Sequence, residues 1–421
     1  MASYRLSPLD GRYYNYTKRL SSFFSEFALF KYRLYVEIEY LIKLLDELCI
    51  EYDCFKLRDI YNNFILKDYN IVKNHEKILK HDVKALEYYI RDKFIELNIN
   101  CIEFIHFGLT SQDINNTALS LSIRDYIKLL YSINLKNIIN KINYKIFNWK
   151  NEIMISRTNG QPAVPTSMGK EFKVFSYRLQ QQYNILRQIK FYGKFGGASG
   201  NLNAHVLAYP NIDWIKFGKL FLNNIGLLRS EYTTQIDSYD SLAQLFDCVK
   251  RINTILIDLC RDIWLYISQE YIIQIKVAEE IGSSTMPHQV NSINFENAEG
   301  NLMLANALFE FFSRKLPISR LQRDLTDSTV SRNIGSAFGY TKIAYDNILS
   351  GLDKLKINST KLQQDLDNNK LVLTEGIQTL MRKEGNINAY QDIKKAIDEN
   401  KIDKILDKYN IKSYIGYSNR I

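Results

Sequence analysis

Apolar positions recur at helical spacing along most of the chain. Between residues 25 and 100 the pattern comes in pieces, as at Tyr35, Ile38, Tyr40, Leu41, Leu44 and Leu45, with breaks near 50–56 and 68–76 rich in Asp, Asn and Tyr. These pieces predict a small helical domain over 1–102, entered through a turn at Pro8-Leu9-Asp10-Gly11. Residues 117–150 contain no Gly or Pro, and Leu119, Ile123, Ile127, Leu130, Ile133, Ile138, Ile142 and Ile146 mark one helical face. Residues 241–274 repeat this with Leu242, Leu245, Phe246, Val249, Ile252, Leu256, Leu259, Ile263 and Ile267. At the rise of an α-helix that segment would be about 50 Å long. Further helices are predicted over about 169–192, 297–314 and 336–355. Helices of this length hide their stripes against one another, so a long bundle is expected over 103–351. From 352 the chain is more polar and broken at Gly385 and Gly416, which predicts a short helical domain over 352–421. The fold class read from the pattern is all-α, with three helical domains around a long central bundle.

Composition agrees. Only 18 Gly and 6 Pro occur in 421 residues, too few for a sandwich or barrel with frequent turns. The 46% apolar and 24% charged residues exclude a mainly disordered chain. The formal net charge of +9 is scattered, with no run of five or six Lys or Arg, so a decorated surface is expected rather than a nucleic-acid partner. Lys outnumbers Arg 36 to 19 and Asn reaches 38, a balance that AT-rich codons would also produce. The five cysteines, Cys49, Cys54, Cys101, Cys248 and Cys260, form no Cys-x-x-Cys, so reduced thiols in a cytoplasmic protein are expected. The start lacks the basic-then-apolar order of a signal peptide, and no stretch approaches 18 apolar residues, so no membrane partner is expected.

Four polar segments interrupt the helices. The first, His106 to Asn116, contains Thr110-Ser111-Gln112-Asp113, which reads as a helix N-terminus whose free N–H groups either are capped or hold an anion. The second, Ser156 to Lys170, holds Thr158-Asn159-Gly160-Gln161-Pro162 and reads as an irregular loop before a helix. The third, Gly193 to Asn201, is Gly-rich but lacks the surroundings of a phosphate loop, and a tight turn is preferred. The fourth, Gly282 to Asn297, is longer than the usual bundle connection and suits a flap over a substrate. The five histidines, His75, His81, His106, His205 and His288, are candidates for proton transfer, His81-Asp82 above all. No Cys/His cluster occurs, so neither a metal nor a cofactor is expected.

The fourth segment, Gly282-Ser283-Ser284-Thr285-Met286-Pro287-His288-Gln289-Val290-Asn291, resembles the flap of the fumarase/aspartase superfamily, Gly-Ser-Ser-x-Met-Pro-x-Lys-x-Asn. Its continuation Phe295-Glu296-Asn297-Ala298-Glu299-Gly300-Asn301 looks specifically like the adenylosuccinate lyase family. So do the segments Ser7 to Tyr13, Thr110 to Asn116, Tyr232 to Ile236 and Ser319 to Thr329. The resemblance spans nearly the whole chain. It implies an all-α homotetramer of the purine pathway that eliminates fumarate from adenylosuccinate and from the succinylaminoimidazole carboxamide ribotide. It also implies roles: Ser283 as base, with Ser284, Gln289, Asn291, Thr110, Ser111, Thr158 and Gln235 around the succinyl carboxylates. Arg12, Tyr13, Arg323, Ser328 and Arg332 would hold the phosphate, and His81 and Asp82 would lie near the substrate.

Two departures fall on the chemistry. Where the family has Thr-His-Gly-Gln-Pro, with His as general acid, this chain has Asn159. An amide donates a hydrogen bond but gives up no proton near pH 7. Losing a positioned acid costs roughly 10²–10⁴ in rate, about 3–5.5 kcal/mol of barrier. The flap's Lys is Gln289, which keeps a donor and loses the charge. Smaller departures are Ser292 for Pro and Lys80 for Asn. The reading is a slowed lyase with His81 or water supplying the proton; the alternative is an inactive lyase-fold binding or structural protein. A relative with another succinyl substrate, such as an argininosuccinate lyase, fits less well, because the phosphate-end motifs match the purine enzyme.

Overall fold

The longest apolar stripe forms a helix over Asp240–Ser268. It stops before the sequence pattern does: Glu270 takes a left-handed φ of 61°, and Ile272–Gln274 becomes a short strand antiparallel to Leu355–Ile357. The computed structural model describes residues 5–276, 285–286 and 290–421. Among them, long helices over Ser132–Trp149, Met168–Gln188, Ile293–Lys315 and Ile334–Asp353 fall where periodicity places them. The stripe from Leu119 to Ile146 is interrupted by a π-helical turn at Ile127–Tyr131 between Ser111–Tyr126 and Ser132–Trp149. Such a turn holds an extra residue, which shifts the buried face: Leu135 is fully buried while Ile133 is 52% exposed.

The chain divides into two compact units. The first comprises Met1–Ile133, Asn184–Asn253 and Asn301–Ile343. Its helix Glu26–Glu47 starts at Ser25, whose hydroxyl accepts the N–H of Ala28, a cap of ordinary kind. This helix is apolar on two sides. Phe30, Leu34, Ile38 and Leu41 join Leu57, Ile60, Val72, Leu86 and Tyr89 in one core, drawing in the helices Cys54–Asn62, Leu66–Leu79 and Asp82–Glu96. Val36, Tyr40 and Leu44 join Ile114, Leu121, Phe195, Trp214, Phe217 and Phe221 in another. Burying each such side chain stabilises the fold by about 1.5–3 kcal/mol.

The second unit comprises Asn134–Tyr183, Thr254–Gly300 and Ala344–Ile421. Its core gathers Ile155 with Leu366, Leu373, Ile377, Ile393 and Leu406 from the short C-terminal helices. The segment read as an irregular loop is instead a β-hairpin, Ile153–Thr158 against Gln161–Ser167. Asn159 and Gly160 form its two-residue turn with φ of 52° and 77°. Both residues left-handed is the geometry that matches strand twist, and Asn-Gly is the pair that adopts it most readily. Pro162 and Pro165 fit because each strand of a two-stranded sheet is an edge.

Candidate active site

A cavity of about 630 Å³ opens within the first unit. Two helices begin at its wall, Asp82–Glu96 and Ser111–Tyr126, so their first N–H groups and positive dipole ends favour anions there. His81 is the N-cap of the first: its Nδ1 accepts the Lys84 N–H at 3.1 Å, which assigns the ring proton to Nε2. Asp82 meets the guanidinium of Arg33 at 2.9 Å and that of Arg332 at 3.4 Å. Burial pushes the Asp82 carboxyl upward, but the charge and hydrogen bond of Arg33, the Val83 N–H and the Arg332 charge together outweigh this and hold it below the usual carboxylate range. Arg33 itself is 4% exposed, so Asp82 is its necessary counter-charge.

At the second helix, Thr110 and Ser111 face the cavity, and the Thr110 N–H is capped by the Asp113 carboxylate at 2.8 Å. Behind Thr110, the loop 104–109 is held by buried polar contacts. His106, with a left-handed φ of 57°, meets Glu37 at 2.6 Å and Glu87 at 3.8 Å. Burial would keep this imidazole neutral, but the two carboxylates outweigh it and raise its pKa to about 9. Tyr40 donates its hydroxyl to the Phe107 carbonyl at 2.6 Å, so the Nε2–H of His205 donates to the tyrosine oxygen at 3.0 Å. Burial takes His205 down to about 4, and it stays neutral.

The opposite wall comes from 323–335. Arg323 donates to Ser328 Oγ at 3.1 Å and lies 3.7 Å from Asp327. The buried amide of Gln112, with its oxygen turned to Arg323, accepts both guanidinium nitrogens at 2.6 and 2.8 Å. Tyr239 donates to Asp327 at 2.8 Å and accepts from Asn116 at 2.5 Å. Gln235, on the same cavity, donates to the Ala198 carbonyl at 2.9 Å.

Of the residues singled out in the sequence, His81, Asp82, Thr110, Ser111, Gln235, Arg323, Ser328 and Arg332 line this one cavity. Arg12 and Tyr13 belong to the same unit but are not in its wall; Arg12 lies over the Tyr13 ring, 6.0 Å from its centre. Thr158 and Asn159 are exposed at the hairpin end in the second unit, and Asn291 is exposed there before the helix Ile293–Lys315. Ser283, Ser284, His288 and Gln289 lie outside the described residues. Arg33, Gln112, Tyr239 and Asp327 line the cavity but are not among the sequence candidates. Arg33 sits inside an apolar helical run, and Tyr239 meets a partner 88 residues away, so neither pairing carries a local signal. Among the described residues no group of His, Cys, Asp and Glu is arranged to hold a metal ion.

Comparison with known proteins agrees with the all-α fold. Solved structures similar in fold include a fumarate lyase from Mesorhizobium sp. BNC1, with a TM-score of 0.79 and 16% identity over 96% of each chain. A second is a 3-carboxy-cis,cis-muconate lactonizing enzyme from Pseudomonas putida, with a TM-score of 0.76, 18% identity and coverage of 96% of this chain and 95% of that one. Residues 50–307 match the lyase family, which places the chain in the fumarase/aspartase superfamily. Residues 319–415 match the adenylosuccinate lyase C-terminal family. An adenylosuccinate lyase of Dictyostelium discoideum is 49% identical over 96% of this chain and 92% of its own length. That of Escherichia coli K12 is 44% identical over 94% and 89%. The chain belongs to the adenylosuccinate lyase family.

Proposed function

We propose that this chain is a carbon–nitrogen lyase that releases fumarate from adenylosuccinate and from the succinylaminoimidazole carboxamide ribotide, at a rate lowered by Asn159 and Gln289. The observation that carries the reading is the convergence of His81-Asp82, Thr110-Ser111, Gln235 and Arg323-Ser328-Arg332 on one cavity. Such a set suits a molecule with anions at both ends. The guanidinium forks of Arg323 and Arg332 offer paired donors to a phosphate. Thr110, Ser111 and Gln235 offer neutral donors to the succinyl carboxylates, joined in this reading by Thr158, Ser284, Gln289 and Asn291. Arg12 and Tyr13 are assigned to the phosphate as well.

The elimination needs a base at the carbon beside a carboxylate and an acid at the departing nitrogen. Ser283 takes the first role in this reading, and nearby donors must stabilise its alkoxide and the dianion that follows. Asn159 supplies a hydrogen bond in place of a proton. His81 reaches the substrate as an Nε2–H donor; it acts as an acid only by giving up its cap to a second ring proton. The leaving nitrogen therefore takes its proton from water, or from His81 at that expense.

The enzyme is proposed to work as a homotetramer in the cytoplasm. Tyr144, Phe147, Tyr177 and Trp264 are large, exposed, and carried by long helices of the second unit, as expected of surfaces that other copies cover. No helix among the described residues is long and apolar enough to cross a membrane.

Fumarate release from adenylosuccinate tests the activity. Slow turnover above the uncatalysed rate is expected. Turnover equal to the uncatalysed rate, with adenylosuccinate still bound, would replace this reading by that of an inactive lyase-fold binding protein.

A further inference from the structure

Asp113 is 2% exposed and has no part in the chemistry proposed above. Its carboxylate nevertheless gathers donors from two segments. Oδ2 accepts the Thr110 N–H at 2.8 Å and the Gly197 N–H at 3.1 Å. Oδ1 accepts the Gly196 N–H at 2.9 Å and meets Lys194 Nζ at 2.8 Å. Lys194, with no exposed surface, also donates to the Gly197 carbonyl at 2.6 Å and so closes the loop from the other side.

Each segment leads to the cavity. Thr110 and Ser111 line it directly. The loop 196–200 carries the Ala198 carbonyl that holds Gln235. At Gly200, with a φ of 87°, an added Cβ would stand 2.0 Å from the Thr233 carbonyl oxygen, so the loop lies hard against the strand of chain that leads into Gln235. The other end of the cavity has further supports: Ser328 and Asp327 as well as Gln112 for Arg323, and Asp82 for Arg332.

We propose that Asp113 is a positioning residue that sets Thr110-Ser111 and Gln235 in one geometry for the dicarboxylate end of the substrate, acting through its bonds to the backbone N–H groups of Thr110 and of the loop 196–200. This rests on the reading that assigns those residues to the succinyl carboxylates. A carboxylate can serve both segments because both its oxygens accept. In Asp113→Asn one of them becomes an NH₂ that faces backbone N–H groups, and one segment is released.

The test measures fumarate and AMP separately as product inhibitors. In D113N the inhibition constant of fumarate is expected to rise at least about tenfold, the change of losing one charge-assisted hydrogen bond. That of AMP is expected to rise by clearly less, about threefold at most, because Arg323 keeps Ser328 and Asp327 and Arg332 keeps Asp82. Lys194→Met removes the buried cation but leaves the three backbone N–H bonds, so it is expected to lower thermal stability with fumarate inhibition nearly retained. Equal weakening of both products in D113N, no weakening, or the same fumarate loss in K194M at matched stability overturns the proposal. If D113N does not fold, Gly197→Ala carries the test. Its Cβ has room, 3.5 Å from the nearest atom, but strains a φ of 70° and shifts the N–H from Asp113. Fumarate-selective weakening supports the proposal, and its absence overturns it. A wild-type protein inhibited by neither product defeats the functional reading itself; one inhibited by both leaves that reading standing, and the variants alone decide the role of Asp113.

Discussion

The cavity wall and the hairpin turn at Asn159 are built on opposite terms. In the wall three groups are secured by buried polar partners: the Asp82 carboxylate by Arg33, the Thr110 N–H by Asp113, and the Arg323 guanidinium by Gln112. Changing one of these strands another charge or donor out of water. The turn at Asn159-Gly160 is exposed, and its shape is set by two backbone angles. A residue there need only accept a left-handed φ, which Asn, Asp and His do with less strain than most. The contrast teaches where the family's chemistry was free to change. If the proposed roles hold, a group at the turn could be exchanged without disturbing the buried pairs of the cavity wall.

Predictions follow from this contrast, and the largest concerns the turn. Restoring Asn159→His together with Gln289→Lys is expected to raise the rate of fumarate release at least about 10²-fold, close to 3 kcal/mol of barrier. No gain would mean that the frame, and not the turn, limits the reaction. In the wall, Asp82→Ala leaves the buried Arg33 without its counter-charge and is expected to cost about 3–5 kcal/mol of unfolding free energy, read by denaturant titration. A cost under about 1 kcal/mol would show that the wall tolerates change as the turn does.

The loop behind Thr110 gives a pH test. The folded pKa of His106, about 9, lies above that of an unfolded imidazole, near 6.5. Its stabilisation is therefore fully present below about pH 6.5 and lost as pH rises through about 9. The expected loss is about 3 kcal/mol, and His106→Gln should flatten that part of the stability profile. A wild-type profile with no decline up to pH 9 would count against the buried ion pair. The smallest effect belongs again to the turn. Gly160→Ala meets nothing within 4 Å, so only its φ of 77° opposes it, and about 1 kcal/mol of stability should be lost. A larger loss would show that the turn carries contacts beyond its own backbone.

Much of the frame was legible in the sequence because its cause is local. Stripes such as Leu242 to Ile263 need only a helix to become a buried face, and they did. Their ends were less readable. The apolar pattern runs on to residue 274 on paper, but the helix ends at Ser268 and the β-branched run after Glu270 prefers a strand once Leu355–Ile357 is there to pair with it. The hairpin was missed although Asn-Gly is a strong turn signal, because Pro162 and Pro165 argue against a strand unless both strands are edges. At the site, motif residues were legible as motifs, whereas their supports were not. Arg33 reads as one charge in an apolar helix until the fold brings Asp82 to it. The His106–Glu37 contact spans 69 residues, beyond any periodic signal.

The helix Glu26–Glu47 lends one side to each of two hydrophobic clusters. Neither cluster can open while the other keeps its shape, since opening either exposes the same helix to water. The clusters should therefore melt as one cooperative block, and amide protons from Phe30 to Leu45 should exchange together, at the free energy of unfolding the whole block. Because the loop behind Thr110 is anchored to Glu37 and Tyr40 on that helix, the cavity should keep its shape up to the same temperature and then lose it in a single step.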